Sequence, residues 1–217
     1  MAISHSETGS ASADRRSRRR EQTITEALDH AGDIMAEQGV GGLTISQMAR
    51  RMGVKPPSLY KYFPSLHAVY DALFARGLAG VDAVVADVVA SAPAGLPRIE
   101  AGVEAVVRWC IEHPALAQLL YWRPVPGFEP SSGTFSASVR STEQLRDELR
   151  EAVRLGQLDP RADSDEAARL LTILISGLIT QQMANEPGAG YDSGRFTTLT
   201  RQAQNMFRCY YQPASDS

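Results

Sequence analysis

The chain's two lysines, Lys55 and Lys61, both lie in the stretch MGVKPPSLYKYF (52–63), while its other twenty basic residues are all arginine. Ser58, Tyr60, Tyr62 and the double proline Pro56–Pro57 stand around them. Cationic, hydroxyl and phenolic donors at this density suit a polyanion. Lysine reaches a phosphate or the O6/N7 edge of guanine, serine bonds several base edges, and tyrosine hydroxyls commonly donate to phosphate. Other chemistry is thin. No GxSxG, HExxH, P-loop or dinucleotide fingerprint occurs. His67 and Asp71, four apart, could grip a metal from one helix face, but no third ligand is evident. His5, His30 and His113 lack partners in the sequence, and Cys110 and Cys209 match no CxxC pattern, so they read as packed thiols. Glu143, Asp147, Glu148 and Glu151 interleave with Arg146, Arg150 and Arg154, as on a solvated helix face. No enzyme, metal or cofactor is expected.

The elements that must carry the basic stretch are helical. Residues 1–14 are small and polar, and the run RRSRRR (15–20) leads into Ile24, Ala27, Leu28, Ala31, Ile34 and Met35, one face of a helix that Gly39 ends. TISQMARRMG is a second, short helix with a capping box, Thr44 and Gln47. A third begins at Pro56 and ends near Phe63–Pro64. Helix, three-residue glycine turn, helix is the arrangement of a helix-turn-helix. Leu59 and Phe63 would anchor the third helix, leaving Pro57, Ser58 and Lys61 outward with Tyr60 and Tyr62 at the flanks.

Beyond Ser65 the helical pattern continues through residues 65–90, 98–113, 114–122, 135–156 and 165–185, then a final helix holding Phe196 to Tyr210. The fold class read from this is all-α: an N-terminal three-helix helix-turn-helix domain plus a larger helical domain, about nine helices in all. The expected divisions are a disordered basic tail at 1–17, the helix-turn-helix domain at 18–66, and the larger domain at 67–217 with helix 65–90 as connector. A chain of 217 residues, 43 % apolar and 22 % charged, has room for such cores. Its charge is uneven. Residues 15–76 hold ten basic and six acidic groups, residues 81–217 twelve and seventeen. The stretch LLTILISGLI reads as too short and too interrupted to span a bilayer, and the N-terminus lacks a signal-like apolar segment, so a cytoplasmic protein with no membrane partner is expected.

Residues 16–76 resemble the DNA-binding domain of the tetracycline-repressor (TetR) family of transcriptional regulators. The apolar first helix, the "G…LT" link, "MARRMGV" and "LYKYFPS" stand in the family's order and spacing. "EHPALAQLLYWRPVPGFEPS" and "ISGLITQQMANEPG" are similar to the ligand-binding domain of a branch common in high-GC actinomycetes. The resemblance implies that Thr44 binds phosphate, and that Lys55, Ser58, Tyr60, Lys61 and Tyr62 face the groove and its phosphates, together with Pro57. Ser46 and Gln47 of the second helix, and Arg18 and Arg19 of the tail, would extend that surface. Where many members place a phosphate-binding lysine after "YFPS", this chain has Leu66, and His67 beside it is the substitute. The arginine tail would follow a phosphate backbone or enter a minor groove.

The resemblance further implies a homodimer on double-stranded operator DNA, one third helix per half-site, released by a small apolar effector. The dimer would use Leu170, Leu174 and Leu178 with Phe196, Leu199, Met206, Phe207 and Tyr210. The effector's walls would be Trp109, Cys110, His113, Leu116, Leu120, Tyr121, Trp122, Phe128 and Phe135, its fixed polar groups Thr172, Ser176 and Gln181. Two rivals compete with this reading: a helical ligand-binding protein that no longer binds DNA, and an enzyme on a helical scaffold.

Overall fold

The structure is a computed structural model that describes residues 7–214, with side chains described from residue 14 onward. Nine α-helices and no strand occur among the described residues. The chain divides into two compact units. The first runs to Leu73 and includes Pro124–Phe128; the second holds Phe74–Arg123 and the chain from Glu129.

The first unit is built from helix α1 (Glu7–Gln38), α2 (Ile45–Arg51), the single turn α3 (Pro57–Tyr60) and the start of α4 (Leu66–Ser91). The 3.6-residue stripe of α1 does what its spacing predicts, burying Ala27, Leu28, Ala31, Ile34 and Met35; Met48, Ala49, Leu59, Phe63, Val69 and Leu73 are also buried in this unit. Gly39 ends α1 with φ of 79°, a region that side chains with a Cβ rarely enter. The Tyr70 hydroxyl donates 2.7 Å to the Val40 carbonyl, so the link after α1 is fixed from α4.

Two expectations need correction here. The tail expected to be disordered over 1–17 is helical from Glu7 onward; residues 1–6 lie outside the described residues. Ala and Arg are strong helix formers, and Arg18 pairs with Asp14 while Ser17 donates to Glu21 at 3.0 Å, both four apart, so the segment continues α1. The third helix, expected over 56–63, closes after Tyr60. Tyr62 and Phe63 fold their N–H groups back onto the Leu59 carbonyl, and Pro64 forbids extension.

The second unit holds the remainder of α4, then α5 (Leu96–Glu112), α6 (Pro114–Trp122), α7 (Ser132–Arg154), α8 (Asp165–Asn185) and α9 (Thr200–Tyr210). Its core draws on α5 (Ile99, Val103, Val107, Cys110), α7 (Leu149, Ala152), α8 (Ala167, Leu171, Ile179) and α9 (Phe207). The turn into α5 is held from α7: Glu148 accepts from Gly95 N–H at 3.1 Å and from Arg98 at 2.8 Å. Gln182, fully buried, accepts from the N–H groups of Phe196 and Thr197 and donates 3.0 Å to the Glu186 carbonyl, pinning the return into α9. Helix α8 has 21 residues and is the one described helix long and apolar enough to cross a membrane, so the length argument from LLTILISGLI does not hold. It buries Ala167, Ala168, Leu171, Ile179 and Gln182 in protein and starts at Asp165 and Glu166.

Candidate functional site

Thr44 caps α2, its hydroxyl accepting from Gln47 N–H at 3.2 Å and donating 2.7 Å to Gln47 Oε1. Gln47 Nε2 continues to Gln38 at 2.6 Å. This is half of a capping box, and it commits both the Thr44 hydroxyl and Gln47 to local bonds. Arg51 pairs with Glu37, which fastens α2 to α1 and holds the Glu37 carboxyl below its ordinary pKa through the bond from the guanidinium. Gly53, at φ of 65°, turns the chain, and Val54 N–H returns to the Ala49 carbonyl at 2.9 Å. Lys55 precedes a proline and is exposed; its carbonyl accepts from Ser58 N–H at 2.9 Å.

On α3 only Leu59 is buried, and Phe63 just beyond it is the second anchor. Pro57, Ser58, Tyr60 and Lys61 are exposed, as are Ser46 and Thr44. Ser46, Lys55, Pro57, Ser58, Tyr60 and Lys61 are thus exposed residues of one helix-turn-helix. Tyr62 differs. It is half-buried, with the Arg20 guanidinium 5.3 Å and the Lys61 ammonium 4.7 Å from its ring centroid. Hydrogen bonds with Lys61 and Thr23 lower its phenol below the usual tyrosine pKa. His67 is exposed and meets Phe128 edge-on at 6.0 Å. Arg18 and Arg19 are exposed on α1.

The expected ligand walls separate. Trp109 and Cys110 are buried, while Leu116, Leu120, Tyr121 and Trp122 pack half-buried against the same core. Burial pushes the Cys110 thiol up to about 12 and raises the Tyr121 phenol, and the two groups hydrogen-bond. His113 is exposed and stacks on Trp109 with centroids 4.6 Å apart. Phe128 is a correction: it belongs to the first unit, where it packs on Tyr70 at 5.8 Å, because Gly127 at φ 71° turns the chain ahead of it. Phe135 is 54 % exposed and lines no interior.

The expected polar groups also move. Thr172 is exposed and bonds the Ala168 carbonyl, Ser176 is half-buried, and Gln181 is exposed, accepting from Asn185. Two half-buried polar groups outside that set are bonded within the second unit. Thr180 accepts from Trp122 Nε1–H at 3.1 Å, and Asp82 accepts from Ser141 at 2.7 Å. An all-round apolar helix gives no face signal, so one residue of register, about 100°, could not be read from α8.

The expected dimer residues divide likewise. Leu199, just before α9, and Met206 and Tyr210 on it are 45 %, 66 % and 57 % exposed, whereas Phe196 and Leu178 are half-buried. Leu170 and Leu174 pack on their own unit's core. Phe207 is a correction. It is 2 % exposed within its own unit, and Gln204, three residues earlier on α9, donates 2.6 Å to the Glu100 carbonyl of α5. Ile173, which the spacing missed, is 66 % exposed on α8.

A helix-turn-helix with an outward basic edge, followed by an α-helical second unit, defines the class of bacterial helix-turn-helix regulators. The family model described as "Bacterial regulatory proteins, tetR family" matches residues 27–73, and "Tetracyclin repressor-like, C-terminal domain" matches residues 99–203. The chain belongs to the TetR family, whose members are DNA-binding transcriptional regulators, not enzymes. It is 31 % identical over 87 residues to the uncharacterized HTH-type transcriptional regulator YobS of Bacillus subtilis. That match spans 40 % of this chain and 45 % of the relative's length. Among solved structures it is similar to the TetR family transcriptional regulator PfmR from Thermus thermophilus, at TM-score 0.64 and 17 % identity, covering 84 % of this chain and 97 % of that one. It is also similar to the transcriptional regulator FadR from Bacillus subtilis, solved in complex with stearoyl-CoA, at TM-score 0.70 and 15 % identity, covering 84 % and 96 %. At these identities the two structures speak for the fold.

Proposed function

We propose that the protein is a one-component transcriptional repressor that binds a near-palindromic DNA operator as a homodimer and leaves it when a small apolar effector binds. The observation that carries the reading is the outer edge of α2–α3. Ser46, Lys55, Ser58, Tyr60 and Lys61 are exposed there, while Leu59 and Phe63 are buried and hold the turn from behind. A major groove about 12 Å wide admits such a helix, and its edges offer acceptors to lysine and serine. Thr44, whose hydroxyl proton goes to Gln47 Oε1, would donate to phosphate once that bond is exchanged; His67 is the substitute contact at the start of α4. A regulator acting on DNA works in the cytoplasm, at the nucleoid.

The apolar stripe Leu199, Met206 and Tyr210, with Ile173, supports a dimer through α8 and α9. The half-buried Leu120, Tyr121 and Trp122, with Thr180 as a fixed polar group, support an apolar effector in the second unit. To release DNA the effector must bind the DNA-incompetent conformer better by a few kcal/mol. The test is a mobility-shift titration of purified protein on the DNA upstream of its own gene, then the same titration with apolar metabolites added. Retardation reversed by one metabolite is expected. Flat titration across genomic fragments would favour a ligand-binding protein without DNA activity, and turnover of a bound ligand by mass spectrometry would favour an enzyme.

A further inference from the structure

We propose that the arginine-bearing part of α1 is a second, rigid DNA contact that lies on phosphates flanking the site held by α2–α3. The inference rests on the DNA-binding reading above. Every residue over 14–22 is exposed, so this stretch serves no core, yet it holds five arginines at 15, 16, 18, 19 and 20. At 100° per residue the helix sorts them. Over residues 14–23, Arg15, Arg16, Arg19 and Arg20 share one broad side with Thr23 at its centre and no acid among them; the first acid in that sector is Glu26, beyond Thr23. Asp14, Ser17, Arg18 and Glu21 share the other side, where Arg18 pairs with Asp14 and Ser17 donates to Glu21. A helix that merely needed solvation would interleave its charges. This one segregates them.

The basic side also has a fixed origin. Arg20 stacks over Tyr62 and reaches the Lys61 carbonyl at 3.4 Å, and Tyr62 bonds Thr23 and Lys61. A line of cations therefore runs from Lys61 through Arg20 to Arg16, the last about 6 Å further along the helix axis. An α-helix with its side chains is about 10–12 Å across and the minor groove only about 6 Å wide. The arm therefore does not enter a minor groove; a rigid cationic side of this kind fits the outside of the sugar–phosphate backbone.

The test uses the full-length protein and two duplexes identified by footprinting: the protected core alone, and the core with about ten flanking base pairs of scrambled sequence on each side. Wild type should bind the flanked duplex more tightly. The triple variant Arg15→Gln, Arg16→Gln, Arg19→Gln keeps helix propensity and leaves Arg20 on Tyr62. It should lose that gain, with the salt slope on the flanked duplex flatter by about 0.9 for each arginine that met phosphate. Arg→Lys at the same three positions should retain the slope, and Ser17→Pro, which keeps every charge but breaks the helix, should lose the gain. Equal slopes for wild type and the triple Gln variant on the flanked duplex would overturn the proposal. So would a loss of the same size on the core alone, which would place the arginines inside the half-site, or wild-type binding by the Ser17→Pro variant. A footprint that finds no protected site would instead remove the DNA-binding reading itself.

Discussion

Lys61 rests its ammonium 4.7 Å from the Tyr62 centroid, an exposed cation–π contact worth about 0.5–1 kcal/mol. A bidentate lysine–guanine pair contributes about 1–3 kcal/mol of discrimination, so the tyrosine holds Lys61 ready without keeping it from a base. Lys55, exposed in the turn before Pro56, is the phosphate contact under the proposed reading. Lys55→Ala should weaken all sequences alike and flatten the salt slope by about 0.9, while Lys61→Ala also relaxes preference at one operator position. Binding of single-base operator variants by fluorescence anisotropy separates the two; uniform loss in both mutants would move base reading to Ser58 or Tyr60. Glycines give a stability pair. A Cβ on Gly32 meets nothing within 4 Å, so Gly32→Ala should raise stability by about 0.5–1 kcal/mol. A Cβ on Gly80 would stand 2.6 Å from the buried Trp109 ring, and overpacking of about 1–3 kcal/mol outweighs the helix gain, so Gly80→Ala should melt earlier. Cys110 adds a pH dependence. Burial raises its thiol from 9.0 to about 12, so its contribution is present below pH 9 and lost as pH climbs toward 12. Wild type should lose roughly 1 kcal/mol more than Cys110→Ala between pH 8 and pH 10 in urea melts, and iodoacetamide should label Cys110 only after unfolding.

At the scale of elements, the sequence was legible wherever one helix face was apolar and a breaker followed. The stripe Ala27–Ala31–Ile34, the glycines at 39 and 53, and Pro114 place α1, α2 and the α5–α6 break within two residues of their observed ends. Legibility failed where that contrast vanished. Helix α8 is apolar all round, so Thr180 and Gln182 were indistinguishable from Thr172 and Gln181, and Ile173 from Leu174. The arm over 7–22 has no apolar stripe at all, and its helix is carried by propensity and i,i+4 pairs, which composition alone reads as disorder. Phe128 was misplaced because a loop's destination depends on Gly127 and on what the ring meets. Glu148 is a polar staple that charge pattern assigned to solvent. Glu148→Ala would leave Gly95 N–H without its acceptor and half-buried Arg98 with the Ala92 carbonyl but no carboxylate, at a cost of about 1–3 kcal/mol, and should lower the thermal midpoint accordingly. The isosteric Glu148→Gln, which keeps an acceptor, should recover part of the loss. Equal melting of Glu148→Ala and wild type would show the staple to be idle.

For the whole molecule, association and DNA binding are one question, since a two-fold operator needs a two-fold protein. Ile173 and Met206 are each 66 % exposed, so arginine at either costs a monomer no more than about 0.5 kcal/mol. If α8 and α9 form the dimer, Ile173→Arg with Met206→Arg should sediment as a folded monomer and bind operator weakly. A dimer that survives both substitutions would place the interface elsewhere. The central claim, that α3 reads the major groove, is tested most directly by dimethyl sulfate protection at guanine N7 on the upstream DNA. The account predicts two protected clusters with centres a helical turn, about 10–10.5 bp, or a multiple of it apart, and loss of one guanine per cluster in Lys61→Ala. Absence of protected guanines, or a Lys61→Ala pattern identical to wild type, would contradict it.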